Sequence, residues 1–275
     1  MSVSTALFDG YSMELAVEEI AAVGAAHVEP AFISGYVDFD EGLFAEAQAL
    51  KLCRTAQNAG LGINAVSAHL DLSGADAADA LSRRIGFAAG LGASFLITNA
   101  GPARNSAAIR ATIDALLPRL EEAGMVLALE NPGHGSGDLL GGARSGASFV
   151  RDIGSPYVRL NHDAGNIFTY SGETMQPAQD IADAIDTVGH AHLKDVVSTG
   201  EGWAFCAIGD GSVDYASYWA VLPATLPVSI ELPLRLQRPQ RNDPQRRSTP
   251  VDIGTIRGAL RRSLEFVNAL DNAEF

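Results

Sequence analysis

Short, nearly uninterrupted apolar runs alternate along most of this chain with longer stretches whose apolar residues recur at helical spacing. The runs are STALFD, AHVEPAF, INAVSAHL, SFLITNAG, MVLALEN, VRLNHDAG, GHAHLKD and PVSIELP. Few of them alternate apolar with polar, which predicts parallel strands covered on both faces. Between them, MELAVEEIAAVG carries Leu15, Ile20 and Val23 and stops at Gly24, a helix C-terminal signal; FAEAQALKLCRTAQNAG stops the same way at Gly60. Further helices are expected in ADAADALSRRIGFAAGLG, NSAAIRATIDALLPRLEEAG, SGASFVRDIG, AQDIADAIDTVG and the final VDIGTIRGALRRSLEFVNALDN, with a short one around Tyr215–Val221. Asn105 or Ser106 is the expected N-cap of the fourth helix, and Pro118 is expected to kink or interrupt it.

Repeated strand–helix alternation implies a parallel sheet with right-handed crossovers. Eight units favour closure into an α/β fold of the (β/α)8 TIM-barrel type, and 275 residues suit one such barrel spanning 1–275 as a single domain. The first strand is followed by no Gly-rich dinucleotide fingerprint, which weighs against an open Rossmann sheet. Two stretches break the repeat: 196–215, and the Pro- and Arg-rich LRLQRPQRNDPQRRSTP at 234–250, too long for an ordinary loop.

A net charge of −14 argues against nucleic acid or an anionic membrane surface as a partner. No stretch approaches the roughly 18 apolar residues of a membrane span, and MSVSTALFDG lacks the pattern of a signal peptide, so a soluble cytoplasmic protein is expected. Cys53 and Cys206 lie in unlike contexts and suggest no stapled fold.

Four of the strands end in metal-binding side chains: Glu130, Asp163, His192 and Glu231, spaced 33, 29 and 39 residues apart. Strand C-termini of a barrel meet at one face, so three carboxylates and an imidazole are expected to converge on one divalent cation. Singly, a strand ending in Asp or Glu is unremarkable; together, four successive endings ask for one explanation. Oxygen-rich ligation with one imidazole suits Mn2+ first, with Mg2+, Co2+ and Zn2+ as alternatives. Around this set, His69, Glu29, Lys194, Asn166 and His134 are candidate substrate contacts. Lys194 shares strand parity with His192 and points toward the same space, unless it pairs with Asp195; His190 shares that parity deeper in the barrel, and His162 faces the helices. Arg235, Arg238, Arg241, Arg246 and Arg247 can bind phosphate or carboxylate. The plainer expectation is a solvated loop or an arm against another subunit, since only Arg235 follows the eighth strand closely.

LALEN, HDAGN, HAHLKD, IGDGSVDY and SIELP, in that order, resemble the sugar phosphate isomerase/epimerase family of xylose isomerase-like barrels. The family embraces ketose 3-epimerases, hydroxypyruvate isomerases, inosose isomerases and dehydratases, and the endonuclease IV group. The resemblance implies that Glu130, Asp163, His192 and Glu231 hold one catalytic metal and that Glu130 and Glu231 exchange protons with substrate. It departs from several relatives at Asn166, where a His often stands. The stretch after HLKD lacks the Asp-x-His pair of the endonuclease IV group. The expected activity is isomerisation or epimerisation of a small sugar or polyol-like ketose through a metal-stabilised enediolate. An inosose-type dehydratase and a non-catalytic barrel subunit stand as alternatives. A homo-oligomer is compatible with the fold.

Overall fold

The computed structural model describes residues 1–272. Its parallel strands are β1 (Ser2–Ser4), β2 (His27–Glu29), β3 (Ala31–Phe32), β4 (Ala65–Ala68), β5 (Phe95–Thr98), β6 (Val126–Glu130), β7 (Val158–Asp163), β8 (Val188–Leu193) and, after the short β9 (Asp195–Thr199) and β10 (Gly202–Cys206), β11 (Val228–Ile230). Hydrogen-bonded neighbours run β2-β1-β11-β8-β7-β6-β5-β4-β3. Because β2 and β3 are separated only by Pro30, the ring comes back on itself and forms a nearly closed TIM barrel. The break has a local cause: Pro30 has no N–H to give a neighbour. The Ala31 N–H then turns to the Thr5 hydroxyl at 2.9 Å, while the Pro30 carbonyl accepts from Ser67 at 3.0 Å. The second barrel strand thus pairs with β1 through its first half and with β4 through its second.

The helices are α1 (Met13–Ala22), α2 (Glu46–Asn58), α3 (Ala77–Gly90), α4 (Ser106–Ala123), α5 (Ala143–Ile153), α6 (Ala164–Tyr170), α7 (Pro177–Ile181), α8 (Tyr215–Val221) and α9 (Ile253–Asp271). Their apolar faces and the outward faces of the strands form the main core, with Ile20, Leu81, Ile85, Leu96, Ile109, Leu127 and Leu260 all fully buried. Each such side chain stabilises the fold by about 1.5–3 kcal/mol. Inside the barrel, Ala65, Ile97 and Ala128 with Phe95 make a separate apolar plug. By strand parity, the polar groups Ser67 and Glu130 stand on the same side as that plug, two residues further along β4 and β6.

Several expectations need correction. Helix α4 is not interrupted at Pro118; Asn105 does stand at its N-cap position but makes no capping bond, its amide donating to the Ser73 hydroxyl at 3.0 Å instead. Of AQDIADAIDTVG only the first four residues are α-helical, as the end of α7 (Pro177–Ile181), with a 3-10 turn at Ile185–Thr187 before β8. Directly after Asp163 comes α6, which the periodicity did not indicate: Asp163 is its N-cap, accepting from the Asn166 N–H at 2.9 Å.

The two irregular stretches pair with each other. Strands β9 and β10 form a hairpin, and β12 (Leu236–Pro239) and β13 (Gln245–Arg246) extend it into a four-stranded antiparallel sheet in the order β13-β12-β10-β9. The Arg-rich segment is therefore not a bare solvated loop: part of it is built into a sheet of its own chain. Arg246 binds Asp9 and also Asp38 at 2.7 Å; Arg235 lies 3.3 Å from Asp9, and Arg241 lies 2.8 Å from Glu173. Both cysteines are free, and no helix among the described residues is long and apolar enough to cross a membrane.

Candidate metal centre

Glu130, Asp163, His192 and Glu231 come from the ends of β6, β7 and β8 and the residue after β11. They each offer one ligating atom, and these atoms all lie within 4.8 Å of one another. None of the four is more than 2 % exposed. A parallel barrel explains the meeting: every strand delivers its C-terminus to one face, so residues far apart in sequence share a single mouth.

The donor set suits a hard divalent cation. Asp163 Oδ2 and both carboxylate oxygens of Glu231 are buried without any hydrogen-bond partner, a costly state for ionised oxygen unless a cation completes it. Lys194 Nζ lies 2.6 Å from Asp163 Oδ2 and 2.5 Å from Glu231 Oε2. Lys194 thus stands at ion-pair distance from both carboxylates and supplies part of their counter-charge, while neither oxygen has a hydrogen-bond partner. Glu130 is held more firmly: Asn161 Nδ2 donates to its Oε2 at 2.8 Å and Asn166 Nδ2 to its Oε1 at 3.1 Å.

His192 faces two ways. Its Nε2 lies 3.0 Å from Glu29 Oε1, and its Nδ1 lies 3.0 Å from Glu130 Oε2. Nε2 faces the Glu29 carboxylate, an acceptor, so Nε2 carries hydrogen; Nδ1, 3.1 Å from Asn161 Nδ2, faces the carboxylate cluster and is the nitrogen a cation would use. Glu29 accepts a second bond from the Ser67 hydroxyl at 2.8 Å. Although burial opposes ionisation, the His192 charge and hydrogen bond hold the Glu29 carboxyl down to about 2. Behind them, His190 Nδ1 donates to Asn161 Oδ1 at 2.8 Å, and its Nε2 lies 3.1 Å from the Ser229 hydroxyl. Burial lowers His190 to about 3, so it is neutral and its Nε2 accepts from Ser229. Asn161 thereby links the deep histidine to Glu130.

Burial pushes Asp163 up to about 6, with the Glu130 and Glu231 charges adding to it and Lys194 opposing. For Glu130, burial is outweighed by His192 and His69, which hold it well below the usual carboxylate range. Burial disfavours the charged forms of His192 and Lys194, yet the surrounding carboxylates raise both well above their ordinary values.

The remaining candidates are placed unequally. His69 Nε2 is buried without a hydrogen bond, 3.6 Å from Glu130 Oε2. Asn166 is committed to Glu130, to the Asn131 carbonyl and, through Oδ1, to Lys194 Nζ at 3.2 Å. His134 is exposed on the loop after β6. Glu29, expected at the mouth as a substrate contact, is fully buried against His192 and Ser67. Lys194 does not pair with Asp195, whose carboxylate instead accepts backbone N–H groups of Val196, Gly209, Gly211 and Val213 and so shapes the IGDGSVDY loop. His162 turns to the helical layer, 2.7 Å from the Tyr218 hydroxyl and 3.1 Å from Asp180. Asn161 is a site residue the apolar runs did not single out, although its parity with Asp163 was a usable signal.

The family model described as xylose isomerase-like TIM barrel matches residues 17–248, and the chain belongs to that family. No curated protein matches it in sequence. Among solved structures it resembles a D-psicose 3-epimerase (TM-score 0.75, 15 % identity, covering 98 % of each chain). It also resembles an L-ribulose 3-epimerase (TM-score 0.71, 18 % identity, 98 % of this chain and 93 % of the other). A third is the probable 3-DHS dehydratase of petrobactin synthesis from Bacillus anthracis (TM-score 0.71, 14 % identity, 97 % of this chain and 98 % of the other). At such identities the likeness concerns the fold.

Proposed function

We propose that this protein is a divalent-metal-dependent isomerase or epimerase of a small sugar or polyol-like ketose, with Glu130, Asp163, His192 and Glu231 as the metal's ligands. The observation that carries the reading is the buried convergence of three carboxylates and one imidazole nitrogen within 4.8 Å, with oxygens of Asp163 and Glu231 lacking hydrogen bonds. The oxygen-rich set favours Mn2+, then Mg2+, Co2+ or Zn2+. When bound, such a cation supplies Lewis-acid stabilisation of negative charge developing on substrate oxygen.

The chain's own groups do the rest. Glu231, whose oxygens carry no directed hydrogen bond, takes the proton from the carbon beside the carbonyl. Glu130, fixed by Asn161 and Asn166 and ionised at rest, is the second proton carrier. Glu231 gives its proton back to the substrate when transfer stays on one face, and Glu130 delivers one only after taking it up from solvent. Lys194 Nζ and the unpartnered His69 Nε2 hold substrate oxygens and orient the carbon for transfer. Burial of the cluster strengthens these charge interactions, and the glutamates re-equilibrate their protons with solvent between turnovers.

The test is proton NMR in deuterated water, following exchange at the carbon next to the carbonyl across a panel of ketoses and inososes. It is run on protein stripped by chelator and then reloaded with Mn2+, Co2+ or Mg2+. Metal-dependent exchange that disappears in Glu231→Gln supports the assignment. Formation of a dehydrated product would move the enzyme to the lyases, and full exchange in Glu231→Gln would remove Glu231 from the chemistry.

A further inference from the structure

Arg238 differs from the other arginines of its segment. It is 5 % exposed, and its guanidinium lies 4.6 Å above the Trp203 ring. It donates to the carbonyls of Gly133, of Asn242 at 2.8 Å and of Arg241 at 3.5 Å. Among the described residues no carboxylate comes within ion-pair distance of it, whereas Arg235, Arg241 and Arg246 all have acidic partners. Three N–H groups are thus spent on neutral acceptors, leaving two of the five and the whole positive charge. Burying a guanidinium among neutral acceptors is unfavourable unless an anion completes it.

An anion has room to do so. Arg238, Arg241, Trp203 and His134 wall a cavity of about 600 Å3, on which Asp243, exposed at the rim, is the only acidic residue. The cavity adjoins the metal centre through a short chain of contacts. The Gly133 carbonyl that receives Arg238 also receives the Thr169 hydroxyl at 2.9 Å, and Gly133 packs so tightly on Asn166 that a side chain there would collide with it. Asn166 in turn touches Glu130 and Lys194.

We propose that this cavity receives an oxyanion, a phosphate or a carboxylate, on the end of the substrate remote from the metal, with Arg238 as its anchor. The substrate is then a sugar phosphate or a sugar acid rather than a free ketose; this rests on the metal-centred sugar chemistry proposed above. A planar guanidinium with two free N–H groups suits either group, and stacking on Trp203 keeps its plane fixed.

Isothermal titration of the Mn2+-loaded protein with D-fructose, D-fructose 6-phosphate and D-fructuronate tests this, with proton exchange followed on the same samples. One anionic sugar should bind at least about tenfold tighter than fructose, as a charge-assisted bidentate contact predicts. Which of the two does so separates phosphate from carboxylate. Arg238→Gln should cut that preference about tenfold, and Arg238→Lys should cut it less. Since Arg238 also ties down Gly133, a second variant guards against misfolding: His134→Glu, on an exposed loop, adds a negative charge to the cavity wall and should lower the same preference. No preference for either anionic sugar in the unaltered protein, or a preference untouched by both variants, overturns the subsite and leaves the metal chemistry standing. Arg238-dependent binding of an anionic sugar without proton exchange in any sugar leaves the subsite and overturns the isomerase reading.

Discussion

Glu29 accepts the Nε2 hydrogen of His192 at 3.0 Å, with both side chains wholly out of contact with solvent. The pair fixes which imidazole nitrogen faces the carboxylate cluster. A carboxylate behind a ligating histidine raises the basicity of the ligand and locks its orientation.

Replacing Glu29 by Leu should therefore weaken Mn2+ binding about 10–100-fold, a typical loss for such a supporting group. Glu29→Gln, which can still accept from Nε2, should lose less. Calorimetric titration with Mn2+ measures both, and side-chain 15N shifts of His192 report the tautomer; equal affinity in all three proteins would falsify the positioning role.

Lys194 is the resident cation of the cluster before metal arrives. Lys194→Met leaves buried carboxylates without their counter-ion, and the metal-free protein should lose about 3–5 kcal/mol of stability. The same change removes a competitor for Asp163 and Glu231, so added Mn2+ should raise the melting temperature of this variant more than that of the unaltered protein. Thermal melts with and without metal decide it.

Metal uptake should release protons in a pH-dependent number. In the metal-free protein His192 is raised well above its ordinary value, so at pH 7.5 it gives up about one proton on binding. Asp163, raised to about 6, adds a second release below that pH, and affinity should fall steadily as the solution is acidified. For folding, the raised Asp163 contributes stability that is present below the unfolded value of 3.8 and lost as pH rises through about 6. Glu29 works the other way: its contribution is present above 4.5 and is lost as pH falls toward about 2. Titration calorimetry in buffers of different ionisation enthalpy counts the protons directly.

At Gly165 in α6 the backbone of Lys194, between β8 and β9, comes too close for a side chain. A Cβ there would stand 2.6 Å from the Lys194 carbonyl oxygen and 2.8 Å from its Cγ. Gly165→Ala should cost about 1–3 kcal/mol through overpacking. It should also depress turnover more than Mn2+ affinity, because it displaces Lys194 rather than a ligand. Melts and paired kinetic and binding measurements separate the two effects.

The four converging side chains were legible because each ends an apolar run, and a barrel brings all such ends to one mouth. His69 and Lys194 followed from the same placement and strand parity. Glu29 obeyed that rule in position but not in direction. It stands at the end of β2, yet the chain breaks at Pro30 and the side chain is spent on His192 rather than left free at the mouth. Helix α6 escaped because AGNIFTY is only two turns long and starts on a residue already read as a strand end.

By itself, the sequence determined the parallel barrel and the identity of the converging carboxylates and imidazole, since both follow from short-range apolar periodicity and from where each strand stops. Only the tertiary structure decided that β12 would pair with β10, that Arg238 would be buried over Trp203, and that Lys194 would lie against Asp163 and Glu231 rather than Asp195. Those outcomes depend on contacts between segments distant in sequence. Local pattern encodes which face of an element is apolar, and leaves open which distant partner will cover it.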